Sequence, residues 1–213
     1  MITSDRARAW YTDADPVHDF EHVQRVVRMA ERIAAAEGAD LEIVRAAAWL
    51  HDAEGATPDN EAEAARAEHH LRSAEFAGRV LAGEGWAAER IAAVQHCIRA
   101  HRFRGTEAPA TLEARVLFDA DKLDVLGAIG AFRVAAYAAL AGEPLTGTPS
   151  DRFLASFEKE PGEPHTPYHE FLFKLRRVKD CLHTRVGQAL AEARHAYLTK
   201  FFERLLREQE GQE

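Results

Sequence analysis

Apolar positions recur at intervals of three and four along most of this chain, and they rarely alternate. That spacing is helical, and abundant Ala, Leu, Glu and Arg with few β-branched runs point the same way. The clearest stripe is Val23, Val26, Val27, Ala30, Ile33 and Ala34. It predicts one amphipathic helix from His18 to Glu37, closed by Gly38. Asp40 suits the N-cap of a second helix carrying Leu41, Val44, Ala47, Ala48 and Leu50. This run ends in His51-Asp52, just ahead of Gly55 and Pro58. Further helices are predicted over 3–12, 60–82, 87–101, 112–126 and 128–141, with breaks at 13–16, 83–85 and 105–109.

From Gly142 to Pro167 the pattern gives way to Pro and Gly, leaving room for one short helix around 151–157. So long an irregular stretch reads as an ordered flap or a mobile loop, and such loops are often functional. Beyond it, residues 168–209 predict two helices or one bent one. Phe171, Leu172, Leu175, Val178 and Leu182 form the first stripe, and Tyr197, Leu198, Phe201, Phe202, Leu205 and Leu206 the second. The expectation is a single all-α domain over 1–213, with a core at about 15–141 and a C-terminal helical extension at about 168–209.

Composition narrows the function. Apolar residues make up 46% of 213 residues, enough for a core, and no run approaches membrane-spanning length. Cys97 and Cys181 lie far apart without a CxxC, which fits a reducing, cytoplasmic location and no zinc finger. The net charge of −8 argues against a nucleic-acid polymer as partner. It leaves open a small anionic substrate, whose charge a bound metal and a few Arg or Lys side chains would offset.

The eleven histidines then become the informative residues. His18 and His22 lie one helical turn apart, and His51-Asp52 ends a buried run. Asp119, Asp121 and Asp124 interrupt an otherwise apolar helix. Buried carboxylates need compensation, and a metal ion shared with imidazoles provides it.

The order His22…His51-Asp52…Asp121 resembles the H…HD…D signature of the HD-domain metal-dependent phosphohydrolases. The local words resemble the bacterial YedJ/YpgQ-type branch of that family. His18-Asp19-Phe20-Glu21-His22-Val23-Gln24-Arg25-Val26 is similar to its HDxxHxxRV opening, and Ala47-Ala48-Trp49-Leu50-His51-Asp52 to its AAxLHD. The run from Asp119 to Gly130 is similar to its DADxLDxxGAxG, and Tyr168 to Leu175 to its HFxxKL word. Thr184 and Ala191–Arg194 continue the similarity, which extends from about 15 to 209.

The resemblance implies an all-α HD-domain helical bundle with a metal site between its helices. It makes His22, His51, Asp52 and Asp121 the metal ligands. Nitrogen and oxygen donors without thiolate favour Mn, Fe, Co, Ni or Mg over a structural zinc, and among these the resemblance to this branch implies manganese. It implies hydrolysis of a phosphoester or phosphoanhydride bond in a nucleotide, foremost a (deoxy)nucleoside triphosphate cut to monophosphate and pyrophosphate. The same set of ligands serves a 5′-nucleotidase, a cyclic phosphodiesterase or a non-catalytic metal-bearing nucleotide sensor. Asp52 and Asp124 are the candidate proton acceptors. Arg25, Lys122 and Lys174 are candidate phosphate clamps, with surface ion pairs as the plainer reading of each. His18 and His101 are candidate phosphate or substrate contacts.

Some relatives carry extra histidines after the HD pair and bind two or three ions. Here His69, His70, His96 and His101 raise that question, but one ion is the first expectation, and His69 reads as solvated. Asp119 reads as a support for a ligand or as a solvated group. Glu54 falls one residue short of where related hydrolases place an acid. The apolar C-terminal stripes would serve a homodimer as readily as a core.

Overall fold

The computed structural model describes residues 2–11, 20–54, 62–102, 105 and 107–212, with 62–67 as backbone only. The expected break at 13–16, the stretch from Gly55 to Pro58 and the candidate His18 lie outside the described residues. Among the described residues every regular element is helical. The chain divides into two compact units, one made of residues 1–121 with 183–187, the other of 122–182 with 188–213.

The first unit opens with α1 (Ser4–Arg8), far shorter than the stretch 3–12 predicts. The Thr3 hydroxyl caps it by accepting from the Arg6 amide. Trp10 and Tyr11 leave the helix because their tips have partners elsewhere. Trp10 meets Phe76 edge-on at 5.6 Å, and the Tyr11 hydroxyl donates to the Trp49 carbonyl at 2.8 Å. Then come α2 (Phe20–Glu37), α3 (Leu41–Leu50), α4 (Ala62–Gly83), α5 (Ala88–Ala100) and α6 (Leu112–Leu123). The Asp40 carboxylate caps α3 by accepting from the Glu42 and Ile43 amides, as its sequence position suggested.

Helix α3 packs against both α2 and α5, and α4 packs against α5. The stripes Val23/Val26/Ile33, Val44/Ala47/Leu50, Ala77/Leu81 and Val94/Ile98 are all buried in this core. Each such Val, Leu or Ile contributes roughly 1.5–3 kcal/mol relative to exposure. Because α3 is the central helix, its C-terminal end is deep inside, and His51 stands directly after it.

The second unit contains α7 (Gly127–Leu140), α8 (Asp151–Ser156), α9 (Pro167–Glu170), a π-helical turn (Phe171–Leu175), α10 (Arg176–Val178) and most of α11 (Arg185–Gln209). The 112–126 helix of the sequence reading ends at Leu123 instead. Val125 and Leu126 each bond a carbonyl three residues back, and Gly127 takes a φ of +70° that starts α7 in a new direction. A Cβ on Gly130 would collide with the Val125 carbonyl, so this tight turn requires glycine there.

The segment 142–167 is ordered. Glu163 Oε1 accepts from the Ser150 amide at 2.7 Å, and Oε2 accepts from the Ser150 hydroxyl at 2.8 Å and the Glu160 amide at 2.7 Å. In the C-terminal stripe only Leu198 and Phe202 are fully buried, with Phe202 stacked on Phe171 at 4.6 Å. Tyr197 and Phe201, each one residue earlier on the helix, fall on the exposed flank.

Candidate metal centre

The first unit brings His22, His51, Asp52 and Asp121 together. His22 lies in the first turn of α2, His51 and Asp52 follow the last turn of α3, and Asp121 lies in the last turn of α6. His51 is wholly buried, and its Nδ1 donates to the Ala48 carbonyl at 2.9 Å. That bond orients the ring and leaves Nε2 facing inward. From Nε2 the Asp52 Oδ2 is 3.3 Å away. His22 Nε2 stands 3.8 Å from Asp52 Oδ2 and 3.5 Å from Asp121 Oδ1. One atom each of His22, His51 and Asp52 lies within 4.8 Å of the other two.

These donors suit a cation. His51 Nε2 and Asp52 Oδ1 are buried and make no hydrogen bond. Buried polar atoms normally find partners, and leaving them without one costs on the order of 1–3 kcal/mol each. A divalent ion satisfies them together and suits a set of imidazoles and carboxylates.

A second set of donors shares Asp52. From its Oδ1, His69 Nε2 lies at 3.4 Å and His101 Nε2 at 3.6 Å, and the three fall within 4.8 Å of one another. His101 repeats the construction of His51. It caps the end of α5, is buried, and its Nδ1 donates to the Ile98 carbonyl at 2.6 Å. The reading of His69 as solvated is therefore corrected. His69 is only 20% exposed, and its ring packs edge-on against His101 at 5.4 Å. The missed signal was the His69-His70 doublet. Adjacent helical positions differ by about 100°, so the doublet reaches the inward face set by Ser73, Ala74 and Ala77.

The electrostatics of the metal-free centre follow from this crowding. Burial pushes the His51 imidazolium down, but the carboxylates of Asp52 and Asp121 outweigh it and hold its pKa up at about 9. Burial would likewise raise the Asp52 carboxyl, yet His51, His101 and His69 together keep it well below the usual range. His70 goes the other way. Burial, and then the neighbouring His69 and His101, bring it down to about 4, so it is neutral near pH 7.

The remaining candidates fall in varied settings. Arg25 is half-buried on α2, three residues beyond His22, and Lys122 is half-buried directly after Asp121. Asp124 is buried in the second unit and ion-paired with Arg133. Lys174, 42% exposed, pairs with Glu170 at 3.2 Å. The Glu54 amide donates to Ser73 Oγ at 3.1 Å, while its carboxylate lies 4.0 Å from Arg79. His96 is tied to Glu107 at 2.5 Å and accepts from the Ala110 amide, so it holds a turn in place. Asp119 is completely buried rather than solvated.

Comparison with known proteins agrees with this geometry. The HD-domain family pattern matches residues 19–126, about half of the chain. The chain is 29% identical over 210 residues to YpgQ of Bacillus subtilis, spanning 95% of this chain and 91% of that protein. Among solved structures it is similar to Bacillus subtilis YpgQ in complex with ADP, with a TM-score of 0.73 at 28% identity, over 99% of this chain and 100% of that one. An HD-superfamily hydrolase from Bacillus thuringiensis aligns with a TM-score of 0.66 at 25% identity, over 98% and 99% of the two chains. The family match, over the residues that assemble the His–Asp cluster, places this chain in the HD-domain family, as a metal-dependent phosphohydrolase.

Proposed function

We propose that this hydrolase acts on nucleotides and cuts a (deoxy)nucleoside triphosphate into monophosphate and pyrophosphate. The observation that carries the reading is the Asp52 carboxylate, which presents one oxygen to His22 and His51 and the other to His69 and His101. A carboxylate shared in this way can bridge two ions. We therefore assign His22, His51, Asp52 and Asp121 to a first ion, with manganese preferred, and Asp52, His69 and His101 to a second. YpgQ, one of whose crystal structures is a complex with ADP, supports a nucleotide as ligand.

When bound, such ions supply the Lewis acidity that acidifies a water and polarises a phosphoryl oxygen. The protein's own residues do the rest. His51 and His101 are held by the Ala48 and Ile98 carbonyls, so the rings need not reorganise as charge develops. A water oxygen bonds to the α-phosphorus while the bond from that phosphorus to the bridging oxygen breaks, and pyrophosphate carries the electron pair away. The water's proton passes to a phosphate oxygen of the substrate, because Asp52, with both oxygens committed to the ions, is not free to take it. Asp124, already engaged by Arg133, acts by positioning. Arg25, Lys122, Lys174 and His18 are assigned to the phosphates. The working form is a cytoplasmic homodimer, supported by α7, whose outward face shows Ile129, Phe132 and Leu140 and whose one charged residue, Arg133, is buried.

The test is a screen with Mn, Mg, Co and Ni against nucleoside mono- and triphosphates, with products separated by chromatography. Monophosphate plus pyrophosphate from triphosphates is the expected result. Nucleoside plus phosphate from monophosphates would replace the reading with a nucleotidase. Tight binding of metal and nucleotide without turnover would replace it with a sensor.

A further inference from the structure

Two residues before Asp121, and therefore on nearly the opposite side of α6, Asp119 has no exposed surface. Its Oδ1 accepts from the His183 amide at 2.9 Å. Its Oδ2 accepts from the Thr184 amide at 2.7 Å and from the Thr184 hydroxyl at 2.6 Å. The Thr184 oxygen in turn accepts from the Gly187 amide at 3.0 Å, in the first turn of α11. Next to it, Glu37 Oε1 accepts from the Val186 amide at 2.7 Å. A Cβ on Gly187 would overlap both Asp119 Oδ2 and Thr184 Oγ1, so the residue there must be glycine. The Phe118 ring closes one side, edge-on to His183 at 4.9 Å.

We propose that Asp119 and Thr184 are positioning residues for the metal centre: their latch holds the last turn of α6 from its far side and so sets where Asp121 stands. The inference rests on the assignment of Asp121 as a ligand. Asp121 needs such support because it lies where the helix ends. Beyond it the regular helical bonding stops: the Lys122 and Leu123 carbonyls receive 3.3 Å bonds from amides three residues ahead, and the Leu123 carbonyl also accepts from the Arg194 guanidinium. A helix end has fewer backbone hydrogen bonds than a helix interior, whereas a ligand has to be placed within about 0.5 Å. Three hydrogen bonds to a carboxylate, each charge-assisted, make a stiff anchor two residues away. Linkage makes the coupling mutual: if the latch places the ligand, the ligated metal tightens the latch.

Two experiments read this. In the wild type, hydrogen exchange is followed at the His183, Thr184 and Gly187 amides with and without manganese. Loading is expected to slow all three. In Thr184→Val the hydroxyl is lost but the shape kept, and calorimetry should show manganese binding weakened by about 10-fold at unchanged helicity. Thr184→Ser should restore affinity to within about 2-fold, because it restores the donor. A Thr184→Val protein that melts earlier but binds manganese as the wild type does would reduce the latch to a structural feature. Exchange at the three amides that ignores manganese, while manganese binds, would overturn the coupling even if the variant fails to fold. Wild-type protein that binds no manganese would bring down the ligand assignment itself.

Discussion

Two clusters in this molecule are built from the same side chains, acids beside imidazoles, and they do opposite things. In the second unit, His169 is buried between Thr166 and Glu163. Its Nδ1 takes the Thr166 amide at 3.3 Å, so Nε2 carries the proton and donates to Glu163 at 3.1 Å. Every lone pair there meets a proton. In the first unit, around Asp52, four imidazole Nε2 atoms crowd two carboxylate oxygens at 3.3–3.8 Å, and His51 Nε2 makes no hydrogen bond. The lesson is that residue type does not separate a structural staple from a metal centre. The count of available protons does.

Removing the acid from each cluster gives the sharpest contrast. Asp52→Ala takes an oxygen from both proposed ion sets, so metal binding should disappear and activity fall by about 1000-fold or more. Helicity should persist, since Asp52 lies beyond the α3 helix. Calorimetry with manganese checks this, and a variant that still binds the ion at wild-type affinity breaks the distinction. Glu163→Gln should do the reverse, lowering Tm with manganese affinity unchanged.

The proton count also predicts a pH dependence. In the metal-free protein His51 holds a proton up to about pH 9, which a metal ion has to displace. Manganese affinity should therefore rise by about tenfold per pH unit from neutral pH, then level off near 9. The stability of the metal-free fold runs the other way. A pKa raised from 6.5 gives stability that is complete below 6.5 and lost as pH rises through about 9. Tm scans across that window should thus fall without metal and stay level with it. Equal slopes in the two scans would mean that His51 is not where the ion and the proton compete.

His69→Ala probes the second donor set, which the sequence raises as a question while pointing to a single ion and a solvated His69. Calorimetric stoichiometry should drop from two ions to one, and activity by roughly 10- to 100-fold, with the first ion's affinity nearly kept. Unchanged stoichiometry of two would show that His69 is dispensable as a ligand.

The helices and the HD pair were readable because their signals are local. A three-and-four stripe, an Asp40 cap and a His-Asp at a helix end need only neighbouring residues. What escaped was long-range or depended on rotation about a helix axis. Nothing near Asp119 announces that its partners are Thr184 and His183, more than sixty residues away. Glu163 likewise looked like one more acid in a Pro-rich stretch, although it orders that stretch through Ser150 and Glu160. The end of α6 at Leu123 depended on a turn that its apolar pattern runs straight through.

The smallest effect is expected from mild acid, and it tests the staple side of the comparison. Two backbone amides, from Ser150 and Glu160, lead in holding the Glu163 carboxyl down at about 2. A depressed carboxyl pKa gives stability that is complete above the unfolded value of 4.5 and lost as pH falls through about 2. Between pH 4.5 and 2, then, the amides of Ser150 and Glu160 should lose their protection against hydrogen exchange. The centre behaves differently over the same range, because a proton on His51 already competes with the metal well above it. Metal loss should therefore be complete before the segment 142–167 begins to open. If the segment opened first, the staple would be weaker than its four donors imply, and the contrast between a proton-matched and a proton-starved cluster would fail on its structural side.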